Sequence, residues 1–223
     1  MDVLDFLRGV ELFKGLPEEQ LTILARHAHW RDYDTGDVII AEKESLRGLY
    51  IQVSGRSKIF RSTSDGREQT IYIFGPGEPF CLCSLFAESS QPATAMAMEP
   101  SRVLSVSDTD FTAMAEDQPR VIFGMLLIMS RRLKEAMDMI ESLSVREIPV
   151  RLANFLVHAS GESGLYVLPM THRELAKIIG ATPEALSRAF RKLADHRLVA
   201  IDGREVRILD VSGLRALAGI PAR

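Results

Sequence analysis

The sequence predicts an α+β protein that consists of an N-terminal β-roll, a long helix and a C-terminal winged helix-turn-helix. Short β-rich runs separated by turn-forming pairs fill residues 32–106, whereas apolar residues recur at helical spacing from residue 108 onward. Near the C-terminus, two capped helices precede a hairpin. We therefore expect a β-roll over residues 1–107, a long helix and hinge over residues 108–146, and a winged domain over residues 147–223.

The β-roll is predicted from five short runs rich in β-branched and aromatic residues. Two short helices precede these runs, at residues 2–8 and 17–28. Turn-forming pairs such as Thr35-Gly36, Ser54-Gly55 and Asp65-Gly66 separate the strands. The runs cover residues 37–40, 49–53, 57–60, 70–74 and 102–106. This spacing is typical of a closed or rolled all-β unit.

The long helix is predicted because the apolar period changes from two to about 3.5 residues after Asp108. Charged residues, among them Arg132, occupy the remaining surface, and Ile148-Pro149 ends the pattern and marks a hinge. We expect the stripe to be the seam of a parallel homodimer, since a helix of about 30 residues is too long to be buried on one small roll. The alternative is a helix in the core of its own domain. The stripe consists of Ile122, Met125, Met129, Leu133, Ala136, Ile140 and Leu143.

Two capped helices are predicted in the last third of the chain. Thr171 begins the first as part of a capping box with Glu174. Gly180 supplies the turn, and Thr182 caps the second helix, with Pro183 at its first position. The apolar residues expected to face inward are Leu175, Ala176, Ile179, Leu186, Phe190 and Leu193.

A hairpin follows the two helices. Its strands are residues 198–201 and 205–209, and Asp202-Gly203 favours a tight primed turn between them. Two short helices joined by a glycine turn and followed by a hairpin form a winged helix-turn-helix, in which the second helix enters the major groove. The sequence therefore predicts double-stranded DNA as a partner.

The outward side of the second helix carries side chains suited to reading bases. Arg188 can offer two donors to guanine, Glu184 can accept from a cytosine amino group or orient the arginine, and Ser187 can contact a base edge or a thymine methyl group. Other polar residues near the helix ends are placed for phosphates. The alternative is a charged helix face that only meets solvent. The full candidate set is Thr171, His172, Arg173, Thr182, Glu184, Ser187, Arg188 and Lys192.

Charge is divided unevenly along the chain. The 223 residues carry a net charge of −3, but residues 148–223 hold 11 Lys and Arg against 7 Asp and Glu, whereas residues 1–147 hold 16 against 23. A basic domain on an acidic body is typical of a DNA-contacting domain carried by a sensing domain. The sequence lacks paired carboxylates, a nucleophile with a base, zinc-ligand spacing and a phosphate loop, so we do not expect an enzyme.

No membrane contact is predicted. The longest uncharged apolar run, residues 121–130, is about half of the roughly 20 residues that span a bilayer, and the N-terminus lacks a basic segment followed by an apolar one. We therefore expect a cytoplasmic protein. Cys81 and Cys83 are separated by one residue, which disfavours a disulfide between them, and reduced thiols fit that compartment.

The order of β-roll, long helix and winged helix resembles the Crp/Fnr superfamily of bacterial transcription regulators over essentially the whole chain. The segments Leu12-Phe-Lys-Gly-Leu16, Gly36-Asp37, Val53-Ser-Gly55 and Gly75-Pro-Gly-Glu78 resemble the cyclic-nucleotide-binding fold of that family. The resemblance implies a homodimeric regulator that binds DNA, responds to a small-molecule or gas effector and contacts RNA polymerase.

The second helix is similar to the Fnr type of this family. Glu184-Ala-Leu-Ser187-Arg188 has a glutamate followed at three and four positions by serine and arginine. This resemblance implies a palindromic site with TTGAT-like half-sites. The tail from Ile201 to Asp210 resembles the wing of the regulators of nitrate respiration and nitrosative stress.

The resemblance fails where cyclic-AMP-binding members hold their ligand. Those members use a Gly-Glu pair to bind the ribose and an arginine to bind the phosphate. In this sequence Cys81-Leu82 takes the place of the Gly-Glu pair, and Pro92 lies near the position of the arginine. A buried phosphate without a cation would be unpaired, so we expect an effector other than cyclic AMP. A cyclic-nucleotide-responsive regulator is the alternative. Oxygen-sensing Fnr proteins hold a cubane cluster with four cysteines. The two cysteines of this chain are too few to hold such a cluster in each subunit.

The candidate effector site is a largely apolar pocket between the roll and the long helix. The resemblance to nitrosative-stress regulators makes haem with nitric oxide one candidate, with His27, His29, Cys81, Cys83 or a methionine as axial ligand. The plainer interpretation is core methionines, surface histidines and a small buried cysteine. A thiol redox switch or metal site at Cys81 and Cys83 is a further alternative. The pocket candidates are Phe80, Cys81, Leu82, Cys83, Met96, Met98, Met125 and Met129.

Overall fold

A computed structural model describes residues 2–44, 48–64, 66–82, 85, 90–145, 147–160 and 165–220. The chain divides into two units, Met1–Lys134 and Glu135–Arg223. Asp65 of the predicted turn and Cys83 of the predicted pocket lie outside the described residues. Among the described residues, no helix combines the length and the apolar character required to cross a bilayer.

Helices flank a β-rich segment in the first unit. The helices are α1 (Val3–Gly9), α2 (Glu18–His27), α3 (Asp108–Asp117) and the first turns of α4 (Arg120–Val145), with a 3-10 turn at Glu11–Phe13. The strands are β1 (His29–Tyr33), β2 (Val38–Ile40), β3 (Gly48–Ser54), β4 (Ser57–Ser62), β5 (Glu68–Phe74), β6 (Pro79–Phe80), β7 (Thr94–Ala97) and β8 (Ser101–Ser107).

The strands form two four-stranded antiparallel sheets, with the orders β1-β8-β3-β6 and β2-β7-β4-β5. The predicted β-roll is therefore confirmed. Strands β1, β6 and β7 were not predicted, because they lack a run of β-branched residues and are recruited by pairing with stronger strands. The core that includes residues of both sheets contains Ile39, Ile40, Phe74, Phe80, Cys81, Ala95, Ala97 and Val103.

A second core fixes the start of α4 to the roll. Leu49 of β3 and Leu104 of β8 lie in this core together with apolar side chains of α1, α2 and α3. Val121 and Met125 of α4 belong to the same cluster and are only 1% and 2% exposed. The first turns of α4 are therefore part of the first unit.

The single apolar stripe predicted for α4 is wrong in part. Met125 lies in the core of the roll and Ile122 packs against it, so neither is available for a partner. A helix that packs on its own domain and also presents an apolar surface needs two apolar faces. A single stripe with a period of 3.5 residues does not distinguish the residues of one face from those of the other. The exposed apolar face of α4 consists of Phe123, Leu126, Leu127, Leu133, Met137 and Ile140, which are 57–69% exposed.

The second unit contains the predicted winged helix-turn-helix, which is confirmed. The last turns of α4 are followed by α5 (Ile148–Ser160), β9 (Leu165–Val167), α6 (His172–Ile178), α7 (Pro183–Asp195), β10 (Val199–Asp202), β11 (Glu205–Ile208) and α8 (Val211–Ala218). The strands form an antiparallel sheet of order β10-β11-β9. Helix α5 packs against α7 and α8.

The turn between β3 and β4 requires glycine at position 55. Gly55 has a φ of +73°, and a Cβ there would lie 2.4 Å from the Pro100 carbonyl oxygen and 2.5 Å from Ser101 Oγ. Gly66 has a similar φ of +79° but open space around it.

We expect Gly55→Ala to destabilise the roll more than Gly66→Ala. Both variants incur the left-handed cost of about 1–2 kcal/mol, but only the first also forces the Pro100 backbone to move. Thermal unfolding of the two variants measures the difference. Equal losses of stability would contradict the steric explanation.

Candidate nucleic-acid interface

The first helix of the motif, α6, begins as predicted at Thr171. The hydroxyl of Thr171 accepts a hydrogen bond from the backbone amide of Glu174 at 3.2 Å. The Glu174 carboxylate accepts a bond from Lys177 Nζ at 3.2 Å. The N-terminal end of α6 is thus capped, and Leu175 and Ala176 are buried beneath it.

Gly180 makes the turn between α6 and α7. It has a φ of +64°, and the backbone amide of Ala181 donates to the carbonyl of Ala176 at 2.9 Å. A Schellman motif, in which a left-handed glycine ends a helix, is defined by two backbone hydrogen bonds that span different numbers of residues. The bond from Ala181 to Ala176 is the one that spans more residues. The predicted role of Gly180 is confirmed.

Helix α7 is divided into a buried side and an exposed side. Its N-cap is Thr182, whose hydroxyl accepts from the backbone amide of Ala185 at 3.2 Å, and Pro183 is its first residue. Leu186, Ala189, Phe190 and Leu193 are at most 4% exposed. Because a helix repeats every 3.6 residues, the residues between them point away from the core. The exposed residues of this helix are Pro183, Glu184, Ser187, Arg188, Arg191, Lys192 and Asp195.

Glu184 is held as an anion at the start of α7. Its pKa lies below the usual range because its carboxylate accepts a hydrogen bond from its own backbone amide. The Thr182 hydroxyl and the positive charges of Arg188 and Arg173 add smaller contributions in the same direction. An ionised glutamate only accepts hydrogen bonds, which suits it to the amino group of a base or to a neighbouring arginine.

The residues predicted to contact phosphates are also at the surface. His172 is exposed, and its ring lies 5.2 Å from that of Phe190, so the core aromatic residue of α7 orients it. Lys192 Nζ lies 3.9 Å from the Glu147 carboxylate, and both side chains are more than half exposed. Such an exposed pair is weak, so a phosphate could compete for this lysine.

The hairpin completes the unit. Asp202 is the last residue of β10 and pairs with Glu205, so the two turn residues are Gly203 and Arg204, one position later than predicted. Gly203 has a φ of +56°, which a tight primed turn requires at its first central position. Arg204 donates from Nε and Nη2 to the carbonyl of Leu168, at 3.0 and 2.8 Å, and this ties the hairpin to the segment before α6. No local sequence pattern predicts this contact, because Arg204 and Leu168 are 36 residues apart.

All eight candidate DNA-contacting residues lie at the surface of this one unit. They occupy the N-cap and first turn of α6, and the N-cap and exposed side of α7. Their roles toward DNA stay predictions. The members are Thr171, His172, Arg173, Thr182, Glu184, Ser187, Arg188 and Lys192, each of which is exposed.

The candidate effector-pocket residues are not brought together in the same way. Phe80 and Cys81 lie in the core of the roll, whereas Leu82 and Met125 belong to the other core cluster. Met129 is 38% exposed. Met96 and Met98 are half-buried, at and just after strand β7.

An aromatic cluster lines the interior of the roll beside Cys81. The rings of Tyr72 and Phe74 are 4.7 Å apart, those of Phe74 and Phe80 are 5.3 Å apart, and Tyr50 lies 5.7 Å from Phe80. Burial raises the pKa of Tyr50 to about 12. Cys81 has a φ of +57°, a left-handed backbone that residues other than glycine rarely adopt.

Arg132 covers this cluster, although the sequence placed it on the solvent side of α4. Its guanidinium lies 5.1 Å from the ring centre of Tyr72 and 4.9 Å from that of Phe74. Its Nη2 donates to the carbonyl oxygen of Pro79. A long arginine side chain can lay its planar group on aromatic faces in this way, and helix periodicity does not predict it.

The two histidines proposed as haem ligands do not lie at the aromatic cluster. His27 is half-exposed and its Nδ1 lies 3.1 Å from the Asp110 carboxylate, and His29 is exposed on β1. Cys81 is buried. Within the described ranges, no group of three His, Cys, Asp or Glu side chains could hold a metal ion.

Two family models match the chain. A cyclic nucleotide-binding domain matches residues 30–118, and a Crp-like helix-turn-helix domain matches residues 150–217. The matched segments coincide with the roll and with the winged unit described above.

Similar proteins cover almost the whole chain. The cyclic AMP receptor protein of Thermus thermophilus is 29% identical over 212 residues, which are 95% of this chain and 98% of that protein. The transcriptional activator protein FnrA of Stutzerimonas stutzeri is 28% identical over 196 residues, 85% of this chain and 80% of that protein. The structure of FixK2 from Bradyrhizobium japonicum has a TM-score of 0.75, covers 88% of this chain and 98% of that chain, and at 24% identity shows the fold alone. Since both domains occur in order on one chain, the protein belongs to the Crp/Fnr family of DNA-binding transcription regulators.

Proposed function

We propose that this regulator is a homodimer that reads a palindrome with TTGAT-like half-sites through α7 and is controlled by an effector other than cyclic AMP. The arrangement of α7 supports this proposal. Glu184, Ser187 and Arg188 are exposed on the side of α7 that lies opposite its buried side chains. A helix with this division can enter the major groove without disturbing the core that holds it.

The three side chains have the chemistry needed to distinguish bases. Arg188 has five donors in a planar fork that fits the two acceptors of guanine, and each such contact contributes about 1–3 kcal/mol of discrimination. Ionised Glu184 accepts from a cytosine amino group. The similarity of Glu184, Ser187 and Arg188 to the Fnr-type pattern supports the TTGAT-like half-site.

Replacing Arg188 with Ala should abolish the preference for a TTGAT-like palindrome over a scrambled duplex. The guanine contact is lost, while most phosphate contacts stay. Fluorescence anisotropy with both duplexes at fixed salt measures this preference.

Arg191→Ala is the matched control, because Arg191 is an exposed arginine of the same helix with no assigned base. It should weaken binding to both duplexes by a similar factor. An Arg188→Ala protein that still prefers the palindrome would refute the assigned role.

The homodimer is inferred from the exposed apolar face of α4. Phe123, Leu126, Leu133, Met137 and Ile140 follow one another at steps of three, seven, four and three residues, which is the spacing of a coiled-coil seam. A face of this size is unusual on a monomer. A second copy of the same helix is the occupant with matching spacing, and two copies of α7 are what a palindrome requires.

Replacing Leu133 with Lys should shift the protein from dimer to monomer. Two lysines at the seam would repel each other and lose apolar burial. Size-exclusion chromatography with light scattering measures the mass. Glu135→Lys changes charge at an exposed position outside the seam and should leave the dimer intact; a dimer that persists in Leu133→Lys would contradict the proposed seam.

The effector is expected to differ from cyclic AMP because two ligand-holding positions lack the necessary groups. Leu82 is buried in a core cluster and offers no acceptor for a ribose hydroxyl. Pro92 is exposed and offers no cation for a phosphate. The similar protein of Thermus thermophilus is a cyclic AMP receptor protein, so cyclic AMP is the competing effector. Haem receives no support from the positions of His27 and His29.

A further inference from the structure

The side chain of Arg151 contacts backbone carbonyls from two different helix ends. Arg151 lies in the first turn of α5 and is half-buried. Its Nη2 donates to the carbonyl of Leu143 at 2.8 Å. Its Nη1 donates to the carbonyls of Ile179 and Gly180, each at 3.2 Å. One guanidinium therefore connects α4, α5 and the turn before α7.

The first acceptor belongs to the C-terminal end of α4. Helix α4 ends at Val145, so the carbonyl of Leu143 is one of its last four carbonyls. These carbonyls accept no hydrogen bond from a backbone amide of their own helix. A cation is also favoured there, because the C-terminal end of a helix carries a partial negative charge. Arg151 thus satisfies a carbonyl at the end of the long helix.

The other acceptors belong to the turn of the helix-turn-helix. Ile179 is the C-cap of α6, and Gly180 follows it with a left-handed backbone. Their carbonyls lie beyond the last helical turn, where side-chain donors or water must satisfy them. Because α7 begins only three residues later, at Pro183, this turn sets where α7 starts.

Other contacts near this junction are weaker. An open cleft of about 430 Å³ lies at the surface between the first turn of α5 and α7, so apolar side chains do not fill this part of the contact between the two helices. The ion pair between Glu147 and Lys192 crosses it at 3.9 Å, but both side chains are well exposed and such pairs contribute little. The cleft is lined by Glu147, Ile148, Pro149, Arg151, Ala185, Arg188, Ala189 and Lys192.

We infer that Arg151 is a positioning residue that couples the last turn of α4 to the recognition helix α7. A displacement of the end of α4 then moves the turn at Ile179 and Gly180, and with it the start of α7. Lysine cannot replace it fully, because an ammonium is a point charge whereas the guanidinium fork reaches acceptors on two sides. This inference rests on the proposed DNA-binding function and adds the residue that connects α7 to α4.

Hydrogen exchange with mass spectrometry on the full chain tests this coupling. The probe is a duplex that the wild-type protein selects from a randomised library, so the test does not depend on the TTGAT-like sequence. In the wild type, DNA should slow amide exchange in residues 172–185 and also in residues 137–143. In Arg151→Met, the slowing at residues 172–185 should persist, while that at residues 137–143 should fall by about fivefold or more.

Arg204→Met is the matched control. Arg204 also donates two hydrogen bonds to a backbone carbonyl of this unit, but its acceptor, Leu168, precedes α6 and is not part of α4. This variant should lower stability and keep the DNA-induced slowing at residues 137–143. A purely structural role for Arg151 would make the two variants alike.

Arg151→Lys keeps the charge at both helix ends and serves if Arg151→Met does not fold. It should show a smaller but measurable loss of slowing at residues 137–143. Unchanged slowing in either Arg151 variant overturns the inference, and so does a wild type that binds DNA without slowing at residues 137–143. A wild type that selects no duplex overturns the proposed DNA-binding function itself, which is a distinguishable result.

Discussion

The burial of one side of α7 determines what the protein can present to DNA. Leu186, Ala189, Phe190 and Leu193 are almost fully removed from solvent, and their packing fixes the rotation of the helix about its axis. That rotation leaves Glu184, Ser187 and Arg188 exposed. The same side chains that stabilise the unit therefore also aim its recognition surface, so a cavity in this core would disturb the recognition surface as well as the fold.

Helix ends provide the second constraint on this surface. Short helices leave a large share of their backbone groups without intrahelical partners, and each must be satisfied. Thr171 and Thr182 cap the two N-terminal ends, Gly180 closes α6, and Arg151 binds the carbonyls that follow. The helix-turn-helix is thus held by local polar contacts at its ends and by apolar packing along its length.

The features predicted from sequence were those that depend on neighbouring residues. The caps at Thr171 and Thr182, the turn at Gly180 and the existence of the hairpin at Gly203 each involve residues within about five positions, so short patterns identify them, although the hairpin turn lies one residue later than predicted. The same holds for the buried side of α7, which follows from helix period alone.

Features that depend on tertiary packing were missed. The predicted face of α4 is wrong in part, because the sequence does not show that the roll covers Met125. Helix periodicity predicts a solvent position for Arg132, yet its side chain covers Tyr72 and Phe74. Arg151 is separated by 28 residues from Ile179, and no local pattern links them.

Sequencing of the duplexes that the wild-type protein selects from a randomised library shows which DNA sequence the two copies of α7 read. We expect enrichment of a two-fold symmetric site with TTGAT-like half-sites, whose centres are about 10–10.5 base pairs apart, so that two recognition helices occupy successive major grooves on one side of the duplex. Enrichment of an asymmetric site, or no enrichment over the input library, would contradict it.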